Sequence, residues 1–519
     1  MPAPLHVFCD VPKTGLRRER DEKRQKEPDR ALRKEERQRA PAAGTGRITP
    51  KIYKRKKEKR KNENRIKKLL ALLLCLTLFC ALGAQGFADG CGCCEKCCCQ
   101  NCGGGAPADT SNYSLKQVVV LSRHNIRSPL SEKGSVLDEI TPHEWFQWTS
   151  NPGELSLRGA MLETTMGQYF RLWLENEGLF PENYIPKDGA VRFYANGYQR
   201  TQATAHYFSA GLLPVAVVPV ERHVDYNSVD GVFVPVLTFM NDAYEADIRA
   251  EVAERGGGEG LSGYSESLRD AISLLIEVAD MEESEAYRSG AYGNLLEDET
   301  VLNLGEGVEA TMSGPIKIAT SVADALALQY YEEPDELKAA FGHELSFEDW
   351  RTIGKVLATY EEILFSAPSA AVNEANPMLK ELYAELNAQG REFSFLCGHD
   401  STVTSVLAAL GVEDYETTGA IHPTTPIGCK VVFERWVNEK GASFFKVSLV
   451  YQSVDQLRSI QPLSLEVPPM IIPLSFEGVA VNADGLIAEK DLMNLFREKI
   501  SLNNEMIDAY TAEEFEAAA

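Results

Sequence analysis

Three apolar runs in this sequence end in residues that can bind and transfer an anionic group. The runs are QVVVLSR at 117–123, VRFYAN at 191–196 and FSFLCG at 393–398. The chemistry-bearing residues at or shortly after their ends are Arg123, His124, Arg127, Arg200, His399 and Asp400. Arginine donates two parallel charge-assisted hydrogen bonds to a phosphate and does not lose its proton. The pattern therefore predicts an anion site that suits phosphate.

The same residues can also carry a reaction. A histidine flanked by arginines is neutral near pH 7, and it can attack phosphorus while the guanidinium groups offset the charge of the ester. The leaving alkoxide needs a proton in the transition state, which a carboxylic acid can supply. His124 is the candidate nucleophile and Asp400 is the candidate proton donor. Because arginines can hold the equatorial phosphate oxygens, this chemistry requires no metal and no other cofactor.

The elements around these residues favour an α/β fold. Three consecutive valines in the first run are typical of a strand buried on both faces. A helix capped by Ser156 should follow and end at Glu177-Gly178. The apolar stripe of this helix is Leu162, Met166, Phe170 and Trp173. The apolar stripe of the helix after the third run is Val403, Val406, Leu407 and Leu410. Alternation of strand and helix predicts a mostly parallel sheet with flanking helices, whose ligand lies beyond the carboxyl ends of the strands.

The middle of the chain has a different pattern. The segments SLRDAISLLIEVADM, SVADALALQYY and WRTIGKVLATYEEILF are typical of helices, and few strand patterns lie near them. Near the end, KVVFERW and FFKVSLVYQ flank the loop NEKGAS, which predicts a hairpin. We therefore predict an α/β domain formed by 113–225 and 385–519, with an inserted, mainly helical domain at 226–384.

Charge is distributed unevenly along the 519 residues. The formal net charge is -23, but residues 1–68 carry 24 basic and 10 acidic side chains, and the rest carries 29 basic and 66 acidic ones. So acidic a body argues against nucleic acid as a partner, because nucleic-acid-binding proteins need a basic footprint. A nucleic-acid-binding role for the basic arm is an alternative, although blocks of like charge are more often solvated tails. Because the body is so acidic, arginines that converge on one place indicate an anion site.

The first part of the chain carries export signals. A basic stretch ends at residue 68, an apolar run of about 14 residues follows from Leu69 to Leu82, and small residues come next. This order predicts a disordered basic extension at 1–68 and a cleaved signal sequence at 69–88. A retained membrane anchor is the alternative, but a spanning helix needs about 20 apolar residues. The expected location is therefore the periplasm or the extracellular space.

Cysteines are concentrated before the predicted enzyme body. Ten of the twelve precede residue 103, and seven of the twelve residues from Cys91 to Cys102 are cysteine. This density suits disulfide crosslinking after export or the binding of a soft metal. We predict a Cys/Gly-rich linker at 89–112. In the body, Cys397 and Cys429 are expected to be buried thiols rather than a bridge.

At the three strand ends the sequence resembles the histidine acid phosphatases. Their RHGxRxP motif appears as Arg123-His124-Asn125-Ile126-Arg127-Ser128-Pro129, and their HD dipeptide appears as His399-Asp400. The segments YANGYQRTQATA, SGPIKI, PIGCKVVFERW and VYQSVDQLR narrow the resemblance to the bacterial periplasmic glucose-1-phosphatases, which are related to the enteric phytases. Matches run in order from about Val118 to Phe496, nearly the whole body.

This resemblance implies a phosphoglycerate-mutase-like fold and a function. His124 would be phosphorylated, Asp400 would protonate the leaving group, and Arg123, Arg127, Arg200 and His399 would bind the phosphate. The implied activity is a metal-independent acid phosphatase that hydrolyses glucose 1-phosphate and inositol phosphates. Three positions depart from the common family pattern, namely Asn125, Thr402 and Cys429.

Two other functions remain open from the sequence. One is a phytase or a broad-specificity acid phosphatase, although the acidic body disfavours highly phosphorylated polyanions through a repulsion that salt screens. The other is a catalytically silent surface protein that binds a phosphosugar. The intact set of six residues argues against the second, and the expected partner in every case is a small phosphate monoester.

Overall fold

The structure is a computed structural model that describes residues 108–131 and 133–518. The predicted basic extension, the signal sequence and the linker up to residue 107 lie outside the described residues. Among the helices that are described, none is both long and apolar enough to cross a bilayer.

The sheet at the centre of the fold has the order β10-β8-β7-β1-β6-β2-β3, with β9 beside β8. In chain order the strands are β1 (Tyr113–Arg123), β2 (Val191–Ala195), β3 (Val220–Glu221), β4 (Val301–Asn303), β5 (Thr311–Ser313), β6 (Phe393–Gly398), β7 (Lys430–Asn438), β8 (Ser443–Tyr451), β9 (Met470–Pro473) and β10 (Ile487–Ala488). Strands β4 and β5 form a separate antiparallel pair.

Parallel and antiparallel strands occupy different halves of this sheet. Strand β6 pairs in parallel with β1 on one side and with β2 on the other, and β2 pairs in parallel with β3. The C-terminal strands β7 and β8 form the predicted hairpin and join the antiparallel edge of β1. The expected α/β sheet is confirmed, and the antiparallel extension comes from this hairpin.

Helices cover both faces of the sheet and form the middle of the chain. In chain order they are α1 (Leu157–Asn176), α2 (Gln199–Leu212), α3 (Asp242–Arg255), α4 (Leu261–Ser267), α5 (Arg269–Val278), α6 (Glu285–Arg288), α7 (Pro315–Glu332), α8 (Glu336–Ala339), α9 (Phe347–Phe365), α10 (Pro368–Glu374), α11 (Asn376–Asn387), α12 (Asp400–Leu410), α13 (Val454–Ser459) and α14 (Glu489–Ala518). Short 3₁₀ turns lie at Val136–Asp138 and Met281–Glu283. The Ser156 cap is confirmed, since its hydroxyl accepts from the Gly159 amide at 3.0 Å.

Alternate residues of β1 face two different cores, as the two-residue period of a strand requires. Val118 and Val120 pack with residues of α1 and α2 on one face. Val119 and Leu121 pack with residues of α11, α12 and α14 on the other. All four of these side chains are fully buried, which fixes β1 and the residues that follow it.

Helices α1 and α2 approach closely because glycines face each other where they cross. A Cβ atom on Gly167 would lie 2.2 Å from the carbonyl oxygen of Phe208, and one on Gly211 would lie 2.2 Å from that of Thr164. Larger residues would push the helices apart. The contact positions the start of α2, which carries Arg200.

Helices α3 to α10 lie within the predicted insertion at 226–384. Their buried side chains form a third core, which also includes Ile126, Leu162 and Ile427 from the segments assigned to the α/β domain. The boundaries of the insertion remain a prediction.

Candidate active site

The carboxyl ends of β1, β2 and β6 bring the six predicted residues to one cavity. The register pairs Arg123 with Gly398 and Ala195 with Cys397, so the three strands end level with one another. The cavity has a volume of about 870 Å³. Its lining includes Arg123, His124, Arg127, Arg200, His399 and Asp400. Residues that are far apart in the chain therefore line one cavity.

His124 has one ring nitrogen occupied and one available. Its Nδ1 lies 2.8 Å from the carbonyl oxygen of Asn125, which can only accept, so Nδ1 carries the proton. Burial, together with the charge of Arg200, holds the pKa of His124 well below its ordinary value of 6.5. The ring is therefore neutral, and its Nε2 has the free lone pair that a nucleophile needs.

The three arginines concentrate positive charge in a buried place. Arg127 makes a two-point contact with Asp324, at 3.0 and 3.1 Å. Arg200 lies over the ring of Tyr198, with its guanidinium carbon 4.5 Å from the ring centre. Burial and the neighbouring Arg127 lower the pKa of Arg200 to about 10. A bound dianion would relieve this repulsion, which is the electrostatic signature of a phosphate site.

Asp400 lies at the start of α12 and is paired with Arg123. Its Oδ2 lies 2.8 Å from Nη2 of Arg123, and its Oδ1 accepts from the Ser401 amide at 3.0 Å. Burial opposes ionisation, but the positive charge of Arg123 outweighs it and holds the pKa of Asp400 below its ordinary value. Without an anion beside it, Asp400 is therefore a carboxylate.

The three departures from the family pattern have structural roles. Asn125 donates through Nδ2 to Glu163 at 2.7 Å. Glu163 also pairs with Lys430 at 3.0 Å, and the side chains of Glu163 and Lys430 are fully buried. Thr402 accepts from the backbone amide of His399 at 3.0 Å and also contacts the carbonyl of Phe233. It thus orients the HD dipeptide through the backbone.

The two cysteines of the body are buried and free, as predicted. The carbonyl of Cys429 accepts from the Arg123 amide at 2.9 Å. This backbone contact holds the end of β1, where the loop that carries His124 and Arg127 begins. A disulfide is not part of the site.

Several acidic residues in the cavity wall were missed by the sequence analysis. Asp324 holds Arg127, and Glu309 and Glu361 lie among the lining residues. Burial and the nearby Asp400 raise the pKa of Glu309 to about 7 and that of Glu361 to about 8. Glu361 accepts hydrogen bonds from Thr404 and Thr425, each at 2.8 Å. No local motif marks these carboxyl groups, because distant helices and loops deliver them.

Within the described residues, no group of three or more histidine, cysteine or acidic side chains is placed to hold a metal ion. The cavity has cationic side chains where an anion would lie, and its carboxyl groups are paired with arginine or hydrogen-bonded to threonine and serine. These side chains therefore fit a phosphate better than a cation.

A histidine and arginine cluster at the carboxyl ends of an α/β sheet defines a phosphoryl-transfer class of site. The chain belongs to the histidine phosphatase superfamily, branch 2, whose model matches residues 114–251.

Two relatives are similar over most of the chain. The glucose-1-phosphatase of Salmonella typhimurium is 32% identical over 73% of this chain and 91% of its own length. The glucose-1-phosphatase of Providencia rettgeri is 33% identical over 76% of this chain and 94% of its own. Among solved structures, the phytase from Citrobacter braakii is similar with a TM-score of 0.68 and 26% identity, over 75% of this chain and 97% of that one.

Proposed function

We propose that the protein is an acid phosphomonoesterase that hydrolyses glucose 1-phosphate, with inositol phosphates as further substrates, through a phosphohistidine on His124. The observation that carries this proposal is the convergence of the six residues on one cavity. Similarity to two glucose-1-phosphatases supports the choice of ester. The catalytic residues are His124 and Asp400, and the phosphate-binding residues are Arg123, Arg127, Arg200 and His399.

In the first half-reaction the Nε2 lone pair of His124 attacks phosphorus. The P–Nε2 bond forms as the P–O bond to the sugar breaks, and the departing oxygen takes the proton of Asp400. Free glucose leaves, and the phosphoryl group remains on His124. The arginines stabilise the charge on the equatorial oxygens throughout, which is the main contribution a protein makes to this loose transition state.

In the second half-reaction a water molecule attacks the phosphohistidine. Asp400, now a carboxylate, accepts the proton of the water as the new P–O bond forms and the P–N bond breaks. Inorganic phosphate leaves and the lone pair returns to Nε2. The cycle therefore returns both residues to their starting states, with Asp400 again protonated for the next turnover.

Asp400 must bind a proton before it can donate one. The pair with Arg123 keeps it ionised in the structure. A phosphate bound to Arg123 competes for that guanidinium and places negative charge beside the carboxyl, and both effects raise the pKa of Asp400. Acid solution favours the same protonation, so the proposed enzyme should work best at acid pH.

A phytase or a broad-specificity acid phosphatase is the second candidate. Similarity to the Citrobacter braakii phytase favours it, and a cavity of about 870 Å³ is in the range that holds ligands larger than one sugar phosphate. The carboxyl groups of Glu309 and Asp324 in the wall favour the smaller, less charged ester whenever they are ionised.

One assay separates these candidates. Phosphate release is measured from glucose 1-phosphate and from phytate side by side, in acid buffer with EDTA. We expect turnover of glucose 1-phosphate to exceed that of phytate and to survive chelation. His124→Ala should abolish turnover, while the matched control His206→Ala, on the exposed face of α2, should not. Affinity without turnover would instead indicate the silent phosphosugar-binding protein.

We propose export to the periplasm or the extracellular space. The support is the basic stretch followed by the apolar run 69–82 in the sequence. N-terminal sequencing of the protein from its native host tests this, and a start near residue 89 is the expected result. Recovery of the mature protein with 69–82 attached would favour the membrane anchor.

A further inference from the structure

His399 has two ring nitrogens, and its role toward phosphate depends on which one carries the proton. Its Nδ1 faces Arg200, with Nη2 at 3.4 Å. Its Nε2 faces away from the cavity toward Asn196, whose Nδ2 lies 2.7 Å away. The ring is buried and stands 5.5 Å from the ring of His124. A neutral ring has one donor and one acceptor, so Asn196 can decide between them.

The orientation of the Asn196 amide is fixed by two backbone donors. Its Oδ1 accepts from the amide of Gly197 at 2.7 Å and from the amide of Asp230 at 2.9 Å. Asp230 is itself held, because its carboxyl accepts from the hydroxyl of Tyr194 at 2.7 Å. Rotating the Asn196 amide would leave two buried N–H groups without an acceptor, at a cost of about 1–3 kcal/mol each. The NH₂ group therefore points at His399.

We propose that Asn196 is a positioning residue that keeps His399 neutral, with its only ring proton on Nδ1 and pointing into the phosphate site. A proton on Nε2 would face the N–H of Asn196 across 2.7 Å, donor against donor. The same clash excludes the doubly protonated ring. His399 thus acts on phosphate as an uncharged hydrogen-bond donor, and Asn196 acts only through it.

The contact with Arg200 is longer than the one with Asn196 and does not decide the tautomer. Arginine can only donate, so when Nδ1 carries the proton the approach of Arg200 at 3.4 Å satisfies neither residue. An oxygen of a bound phosphate can accept from both. The two N–H groups then do not bond to each other and are available to an anion.

The electrostatic surroundings of the ring support neutrality. Burial and Arg200 hold the pKa of His399 well below 6.5, against the opposing charge of Asp400. The titratable and charged groups that face the ring from the packed elements are Arg123 and His124 after β1, Arg127 in the same loop, Tyr198 and Arg200 at the start of α2, and Asp400 on its own helix. All but Tyr198 and Asp400 are basic, and they disfavour a further positive charge.

The substitution Asn196→Asp replaces the donor that faces Nε2 of His399 with an acceptor. Aspartate keeps an oxygen for the Gly197 and Asp230 amides, but its other oxygen accepts a proton from Nε2 of His399. A neutral ring would then show a bare Nδ1 to the phosphate. Only the doubly protonated ring could donate in both directions, so anion binding in the variant should require one additional proton.

The kinetic consequence rests on the proposed phosphatase function. We expect kcat/KM of Asn196→Asp for glucose 1-phosphate, and its inhibition by inorganic phosphate, to weaken by an extra factor of about ten per pH unit above the pKa of His399. The matched control is Asn227→Asp, which adds the same charge at the cavity lining, where its side chain accepts from the Gln199 amide at 2.9 Å. It should show no extra loss.

Spectroscopy tests the assignment without activity. Long-range ¹⁵N–¹H correlation spectra of the histidine rings report the tautomer, and His399→Gln identifies the His399 signals by their loss. We expect a neutral Nδ1–H ring across the acid range in the wild type, and a titrating ring in Asn196→Asp. A wild-type ring protonated on Nε2, or on both nitrogens, would overturn the proposal even if the variant did not fold. So would a folded Asn196→Asp variant whose pH profile overlays the wild type. Absence of all phosphatase activity would remove the proposed function and leave the tautomer measurement intact.

Discussion

The role of Asp400 can be tested by the substitution Asp400→Asn. Asparagine has the same shape and can still accept from the Ser401 amide, as Asp400 Oδ1 does at 3.0 Å, so α12 should keep its start. It cannot give a proton to a leaving alkoxide. General acid catalysis contributes about 10²–10⁴ in rate, and kcat for glucose 1-phosphate should fall by that factor.

The same change should strengthen the binding of phosphate. Asp400 and Arg123 are paired at 2.8 Å, and two unit charges at this separation attract by about 6 kcal/mol at an effective dielectric constant near 20. Asparagine keeps a hydrogen bond but not the charge, so part of this energy becomes available to the anion. We expect the inhibition constant for inorganic phosphate to fall by about tenfold, since 1.4 kcal/mol corresponds to that factor.

The assay compares glucose 1-phosphate with p-nitrophenyl phosphate, whose leaving group needs little protonation. Asp400→Asn should lose much less kcat on the second ester. The matched control is Asp455→Asn, which lies exposed in the first turn of α13 and should leave both rates unchanged. An equal loss on both esters would refute the assignment of Asp400 as proton donor.

Three further predictions concern the buried carboxyl groups. Burial and Asp400 raise the pKa of Glu309 to about 7, so above that pH its charge should repel substrate and lower kcat/KM; Glu309→Gln should reduce this alkaline loss, and an unchanged profile would contradict it. Burial raises the pKa of Glu374 well above 4.5, and neither of its oxygens has a hydrogen-bond partner within the described chain. The protonated Glu374 therefore gives its full contribution to stability below about pH 4.5. As pH rises toward the folded pKa, the free energy of unfolding falls by up to about 1.4 kcal/mol per pH unit. Glu374→Gln should remove that slope in urea unfolding at pH 4.5 and 7, and parallel curves for both proteins would contradict it. Lys430→Met leaves the fully buried Glu163 without its ion-pair partner and should cost about 3–5 kcal/mol of unfolding free energy, whereas a loss below about 1 kcal/mol would show that the pair is unimportant.

The site was predictable where short segments carry it. His124 and Arg127 follow β1 directly, and His399 and Asp400 follow β6, so apolar runs with polar ends sufficed to place them at one edge of the sheet. Parallel pairing of β1, β6 and β2 brings the ends of the three strands side by side. The Ser156 cap and the β7–β8 hairpin were equally local signals.

The remaining parts of the site depend on contacts between distant segments. Asp324 meets Arg127 across 197 positions, and Asn196 meets His399 across 203. Neither pairing has a periodicity or a motif that marks it in one sequence. Strands β9 and β10 are short edge strands of four and two residues, which are too short for their alternation to be recognised.

The most direct test of the account is the capture of the covalent intermediate. Wild-type protein is mixed with glucose 1-phosphate in acid buffer and quenched with alkali within milliseconds, where phosphohistidine survives, and peptides are analysed by mass spectrometry. We predict one phosphoryl group per chain, on His124, and none on His124→Ala or without substrate. Turnover by the wild type with no phosphate on His124, or with the phosphoryl group on another residue, would contradict the central claim.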